Sequence, residues 1–436
     1  MVEKSEEKDK ELKRVIRFRE LFFISFGGQG PLISLLTFGT VMIFYAGLLS
    51  TFAMIGATIV VLMNGLVIYF LSKRFTRSGG YYTYAFHGLT EKLGLSTGWN
   101  YIIYAFAYGG TLLAGSAYII YLMTGFSPFY ISVIIVILAS IIFMSGVKIS
   151  SKYAIGSGIV EMIGIVLLSV FFLYLSNFHF YLPIFSEKDI TTKFIEGILF
   201  GLGIPTGYGS ITPLSGEVKY AQKTVGEVAI SVILVGGLLS SFFFYALASL
   251  NFTGNLVQFL LSTLNLPERI GILVVAINDG MLGGMAYMLA SSRVIYAMSK
   301  DELLPKFFSK VNKERPIYSE ALSTVFFIIG LTLSSYLLGL YGTFQALGAL
   351  AGLFNIFIHM SANFSLFRIS LKRFIKRVGE IVVSILAILI SAYIFLYSLP
   401  SVEKYVAYIF FGWIILGFLY AESLDILRQT PREEQK

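Results

Sequence analysis

Uncharged apolar stretches about twenty residues long recur along this chain, the length that carries an α-helix across a bilayer. The run "ISVIIVILASIIFM", Ile131 to Met144, is typical. It is too long and too uniformly apolar for the alternation of a membrane β-barrel strand. Of 436 residues, 56% are hydrophobic and 13% charged, well below the charge of a soluble chain. The pattern predicts an all-α membrane protein. Twelve spans are expected, near 20–45, 49–72, 96–124, 127–146, 152–177, 193–216, 226–250, 268–299, 317–338, 342–366, 380–399 and 402–424, with a short surface segment at 80–90.

Charge placement orients these spans. With the N-terminus inside, 29 of the 33 Lys and Arg fall on the cytoplasmic side, and Lys188, Lys193, Arg269 and Lys404 fall outside. That asymmetry follows the positive-inside rule and requires an even number of crossings, with both termini cytoplasmic in a plasma membrane. The charged opening "MVEKSEEKDKELKRVIRFRE" lacks the apolar core and cleavage site of a signal peptide, so residues 1–19 are expected to form a cytoplasmic tail. The absence of cysteine excludes disulfides and thiol chemistry. No metal-ligand cluster, phosphate loop or nucleophile triad stands out, and no cofactor is expected.

Two spans are broken. The first contains "SFGGQGPLIS", Ser25 to Ser34, and the sixth "FGLGIPTGYGSITPLSGEVK", Phe200 to Lys219. Gly costs about 1 kcal/mol and Pro about 3 kcal/mol in a helix interior. Gly28 and Pro205 are 177 residues apart, and the same shift carries the second span onto the seventh. Five spans per half is odd, so the halves are inverted; paired breaks at matching positions point to a transporter whose site lies between them. The halves would be 20–177 and 178–370, followed by a helix pair at 371–424 and a tail at 425–436. Backbone freed at a break is tolerated in a membrane only where it lines a cavity or meets a ligand. Pro31 is suited to start the outer half of span one, exposing N–H groups to a carboxylate, and carbonyls near Leu202 and Gly203 suit an ammonium group. Close helix packing is the plainer use of the same glycines.

Three stretches resemble the amino acid–polyamine–organocation superfamily: "SGGYYTYA" (Ser78 to Ala85), "SGEVKYAQKTV" (Ser215 to Val225) and "SSRVIYAMSKDELLPKFFSKVNKERPIYSEAL" (Ser291 to Leu322). The resemblance implies a five-plus-five inverted-repeat, LeuT-like fold of twelve helices and secondary transport of an amino acid or related amine. Its helix breaks align with Gly28-Gln29-Gly30-Pro31-Leu32 and with Pro205-Thr206-Gly207-Tyr208-Gly209, with Gln29 standing for a small hydroxyl residue and Gly209 for a frequent glutamate, and Leu202, Gly203 and Ile204 are substrate-binding candidates just before the second. Tyr108 and Tyr104 are candidate cavity residues.

Glu161 falls near the middle of span five, where an intramembrane carboxylate suggests an ion or proton pathway. Its position resembles one where proton-coupled members carry a lysine. A proton relay is preferred, against a sodium ligand or a structural carboxyl. The sodium-site hydroxyls of the superfamily fall near Met281 to Gly284, where this chain has none. Asp279 is expected to face a cationic substrate, to join Glu161 in coupling or to line a wet outer vestibule, and His359 either to relay protons or to bond across helices. The expected partners are the lipid bilayer and a small-molecule substrate. A cationic amino acid or polyamine carrier, an exchanger, and a sensor that binds without turnover are the competing functions.

Overall fold

The computed structural model describes residues 12–181, 188 and 190–429, so the outer parts of both expected tails lie outside the described residues. Among them the chain is helical throughout, and its isolated β-bridges include one pairing Ile16 with Val218. Eight helices are long and apolar enough to cross a membrane. A further one, α7 (Pro128–Met144), is apolar but only 17 residues long.

Span one comes in three pieces: α1 (Phe18–Gln29), α2 (Pro31–Leu36) and α3 (Phe38–Ala46), followed by α4 (Ser50–Ser72). The surface segment is α5 (Tyr81–Gly88). The next spans are α6 (Glu91–Thr124), capped by the Thr90 hydroxyl accepting from the Leu93 N–H, then α7 and α8 (Val147–Leu175). Span six departs from the expected helix over 193–216. Helix α9 (Thr192–Gly201) stops at the break, and beyond it the chain makes only tight turns over Tyr208–Ser210 and Thr212–Glu217. Five Gly and Pro residues between Gly203 and Pro213 deny this segment both helix propensity and backbone donors.

After α10 (Ala221–Ser249) comes a short helix the sequence did not suggest, α11 (Leu256–Thr263), and then α12 (Leu266–Lys300), opened by an Asn265–Glu268 capping box. The expected spans 317–338 and 342–366 lie in α13 (Ile317–Leu371), whose 55 residues would reach about 80 Å if straight. Gly339, at φ 69° and ψ 172°, divides it between them. Helices α14 (Val378–Ser398) and α15 (Lys404–Gln429) complete the chain.

Helix α6 is central: 89% of its apolar window is buried in protein, against 17% for α15. It packs on α12 and α13, while α4 packs on α10 and α1 on α8, α10 and α12. Aliphatic side chains facing outward, such as Leu238 and Leu396, suit a hydrocarbon solvent. At one end of the bundle lie the segment before α1, the α4–α5 and α12–α13 connections and the end of α15. They are tied by Lys13–Glu314, Arg77–Asp301 and Arg428–Glu91 ion pairs. This is the basic end.

Candidate functional site

The break in span one is a single residue. Gly30 takes the left-handed conformation (φ 55°, ψ 58°), which glycine adopts at little steric cost, and its N–H bonds the Gly27 carbonyl at 3.0 Å. Pro31 then opens α2 without an N–H to satisfy. The first free donors are Leu32 and Ile33, and both point at carboxyl groups of the chain itself. Ile33 N–H donates to Asp279 Oδ2 at 2.7 Å, and Leu32 N lies 3.5 Å from Glu161 Oε1. The donors expected to meet a substrate carboxylate are therefore engaged internally in this conformation.

The break in span six is satisfied from within in the same way. Tyr108 donates to the Gly203 carbonyl at 2.9 Å, Thr206 to Leu202 at 2.5 Å, Ser210 to Gly207 at 2.8 Å and Tyr101 to Gly209 at 2.6 Å. Ile204 and Pro205 are buried. The two breaks touch backbone to backbone. A Cβ on Gly207 would sit 2.1 Å from the Ser25 carbonyl oxygen, and one on Gly28 would sit 2.6 Å from Ser210 Oγ. At these two positions glycine serves close approach, the plainer of the two readings of its use. Gln29 packs its Cγ against Gly207 at the junction and sends its amide to α10, where Nε2 donates to the Val232 carbonyl at 3.0 Å and the group packs on Gly236.

Glu161 and Asp279 come from α8 and α12 and are both fully buried. They lie close enough to interact directly, and each keeps one oxygen, Glu161 Oε2 and Asp279 Oδ1, without a hydrogen-bond partner among the described residues. Two negative charges about 4 Å apart repel by about 4 kcal/mol at an effective dielectric near 20, before desolvation is counted. Such a pair suits one shared proton, or a bound cation, far better than two anions.

A sequence profile of the amino acid permease family matches residues 16–420, nearly the whole chain, including both breaks and both carboxyls. The chain belongs to the amino acid permease family. It is a multi-pass membrane transporter, as its relatives are. It is 26% identical over 273 residues to a protein of Methanocaldococcus jannaschii provisionally assigned as an amino-acid transporter, covering 60% of this chain and 68% of that one. It is also 26% identical over 402 residues to the methylthioribose transporter of Bacillus subtilis, covering 81% of each.

The permease has a tyrosine column beside the breaks. Tyr101, Tyr104 and Tyr108 line one face of α6 at helical spacing, with adjacent ring centroids 5.4 and 5.8 Å apart. Tyr287 of α12 closes on Tyr108 at 4.8 Å. His359 joins the column to the second break: its Nε2 is 3.0 Å from Tyr81 Oη and 2.9 Å from Tyr208 Oη. Its Nδ1 is 2.7 Å from the Asn355 carbonyl, which can only accept, so the proton is assigned to Nδ1 and Nε2 accepts from the tyrosines. His359 thus bonds across helices twice, to Tyr81 of α5 and to Tyr208 of the second break. Tyr81, Tyr101 and Tyr287 were not expected here. The helical spacing of 101, 104 and 108 was the available signal for Tyr101.

At the basic end, Arg293 of α12 is fully buried and bidentate to Glu217, with Nε–Oε2 2.6 Å and Nη2–Oε1 3.0 Å. Its Nη1 reaches Glu320 at 2.8 Å, and Glu320 also takes Arg315 at 2.5 Å. The carbonyl of Glu217 accepts from Val15 and Ile16 N–H at 2.8 and 3.0 Å, and Lys219 N–H returns a bond to Ile16 at 2.8 Å. One residue thus clasps the segment before α1, the end of span six and α12. Nearby, His87 of α5 has its Nε2 3.1 Å from Arg77 Nη1, and partial burial together with that guanidinium holds its imidazole below the usual range.

Proposed function

We propose that this permease is a secondary active transporter that moves an amino acid across the plasma membrane by alternating access, coupled to protons. Its basic end and both termini would lie in the cytoplasm, and its architecture would be the twelve-helix, five-plus-five inverted repeat. The observation that carries the reading is the buried Glu161–Asp279 pair seated on the first free N–H groups of the broken span. A pair that takes up a proton carries less charge to hold on those donors, which frees them for a substrate carboxylate. Proton binding and substrate binding then favour the same state, as coupled transport requires. Packing of the second break against the first makes one event felt in both halves.

A second reading, an uncharged sugar- or thioether-bearing solute, is favoured by the tyrosine column and by the substrate named for the Bacillus subtilis relative. Tyrosine faces accept apolar edges, while their hydroxyls pair with hydroxyl groups. Thermal stabilisation by the twenty amino acids, polyamines and methylthioribose separates these readings, because a solute that binds the folded state raises its melting temperature. Uptake of each hit is then measured in liposomes with and without an imposed pH gradient. Gradient-driven accumulation of an amino acid that Glu161→Gln abolishes is the expected result. Full accumulation by Glu161→Gln refutes the role of the pair. Stabilisation and flux with methylthioribose alone refute the amino acid reading.

A further inference from the structure

We propose that Ser157 and Tyr153 form the route by which protons pass between the Glu161–Asp279 pair and the basic end, with Tyr153 as its port. This rests on the proton-coupled reading above. The pair is enclosed by α1, α2, α8 and α12, so a proton reaches it only through hydroxyl groups or water. Helix α8 supplies hydroxyls in a line. Tyr153, Ser157 and Glu161 stand at i, i+4 and i+8 on one face, spanning about 12 Å along the axis.

Ser157 has the chemistry of a relay. A buried helical serine ordinarily donates to the carbonyl four residues earlier, as Ser140 and Ser169 do at 2.7 and 2.8 Å. Ser157 Oγ is buried and makes no such bond to the carbonyl four residues earlier, so it is free to take one proton and pass on another. The Tyr153 hydroxyl lies close to it. Tyr153 is only partly buried and stands six residues, about 9 Å, above the start of α8 at the basic end.

Asn278, the residue before Asp279, holds that hydroxyl in place. Its Nδ2 donates to the Val274 carbonyl at 2.8 Å, so its Oδ1 accepts, and the Tyr153 hydroxyl donates to it at 3.0 Å. The lone pairs on the tyrosine oxygen stay open towards Ser157. A carboxyl of the pair gives its proton to Ser157 Oγ as Ser157 gives its own to Tyr153, and the Tyr153 hydroxyl, turning its original proton from Asn278 to water, releases it there. Each hydroxyl gains one proton and loses one, so no charge remains on the route.

The other groups facing the pair do not offer this path. Tyr108 of α6 is buried and so offers no port to water. Helix α1 and α2 present backbone N–H groups, α7 has no charged side chain, and Lys223 and Glu227 sit in the first two turns of α10.

Time-resolved infrared spectroscopy of the purified protein after a pH jump tests the route without knowledge of the substrate. The protonated-carboxyl band is the readout. Tyr153→Phe and Ser157→Ala should slow its response at least tenfold while keeping its amplitude and midpoint, and Ser157→Thr, which restores a hydroxyl, should keep the wild-type rate. Unchanged rates in both variants, or an amplitude that falls together with the rate, overturn the route. If Glu161→Gln and Asp279→Asn leave the band intact, the coupling reading itself falls. If they remove it while Tyr153→Phe and Ser157→Ala respond at the wild-type rate, only the route falls.

Discussion

On the alternating-access proposal the clasp at Glu217 holds the basic end shut, and Glu217→Gln measures how firmly. The glutamine keeps the size of the side chain and the backbone carbonyl that holds Val15 and Ile16. It loses the charge and one of two acceptors, so the bidentate pair at 2.6 and 3.0 Å becomes a single neutral contact with an amide N–H facing the guanidinium. Arg293 retains Glu320 at 2.8 Å, so its charge is not stranded. Losing a charge-assisted hydrogen bond costs about 1.5–3 kcal/mol. Both partners are buried, so solvent screening takes little of that away.

That energy belongs only to the conformation in which span six touches α12. Removing about 1.5–3 kcal/mol from the closed state raises the open fraction about 10- to 140-fold, since 1.4 kcal/mol is a factor of ten. The chain contains no cysteine, so one introduced thiol reports without background. Ser215, buried two residues before Glu217, is the site for it. In a Ser215→Cys protein, Glu217→Gln should raise the rate of reaction with a bulky maleimide by one to two powers of ten. A rate that changes less than threefold, with the melting temperature preserved, refutes the idea that this ion pair holds the closed end.

Two more outcomes come from local geometry. Gly207→Ala should lower stability by about 1–3 kcal/mol and abolish flux, because its Cβ meets the immovable Ser25 carbonyl at 2.1 Å; Gly156→Ala, which meets nothing within 4 Å, should leave both unchanged in melting and uptake assays. His87 has its imidazole held below the ordinary histidine value of 6.5, so the unfolded chain binds more protons there; stability should fall as pH drops through that value, and His87→Gln should lessen the loss in melting curves between about pH 7.5 and 5.5.

The eight long apolar helices were legible because a bilayer demands long apolar runs, and both breaks were legible because Gly and Pro cannot be hidden in a helix. Pro31 does begin a helical segment, and α9 does end at Gly201, beside Leu202. The chain beyond the second break was less legible. Propensity marks where a helix stops, while the tight turns after Gly207 depend on hydroxyls from Tyr101 and Ser210 that arrive from elsewhere or from the turn itself. Gln29 shows the limit most plainly. Its place beside the break suggested a ligand contact, and what the sequence could not give is that its amide nitrogen donates to the Val232 carbonyl of α10, 203 residues away.

The carboxyl pair shows how one arrangement serves two needs. A helix broken in mid-membrane leaves N–H groups that hydrocarbon cannot satisfy, and buried carboxylates need donors that hydrocarbon cannot supply. Joining Ile33 to Asp279 and Leu32 to Glu161 settles both deficits at once. The settlement is incomplete by two oxygens, Glu161 Oε2 and Asp279 Oδ1. A fully bonded pair would be a fixed part of the scaffold, whereas one with an open oxygen on each side can gain or lose a proton without dismantling the helix start. Asp279→Asn separates these cases. If the pair is a cap alone, the amide oxygen still accepts from Ile33 and the permease keeps both its stability and its response to a pH gradient. If the pair carries the coupling proton, stability is kept and the response to the gradient is lost.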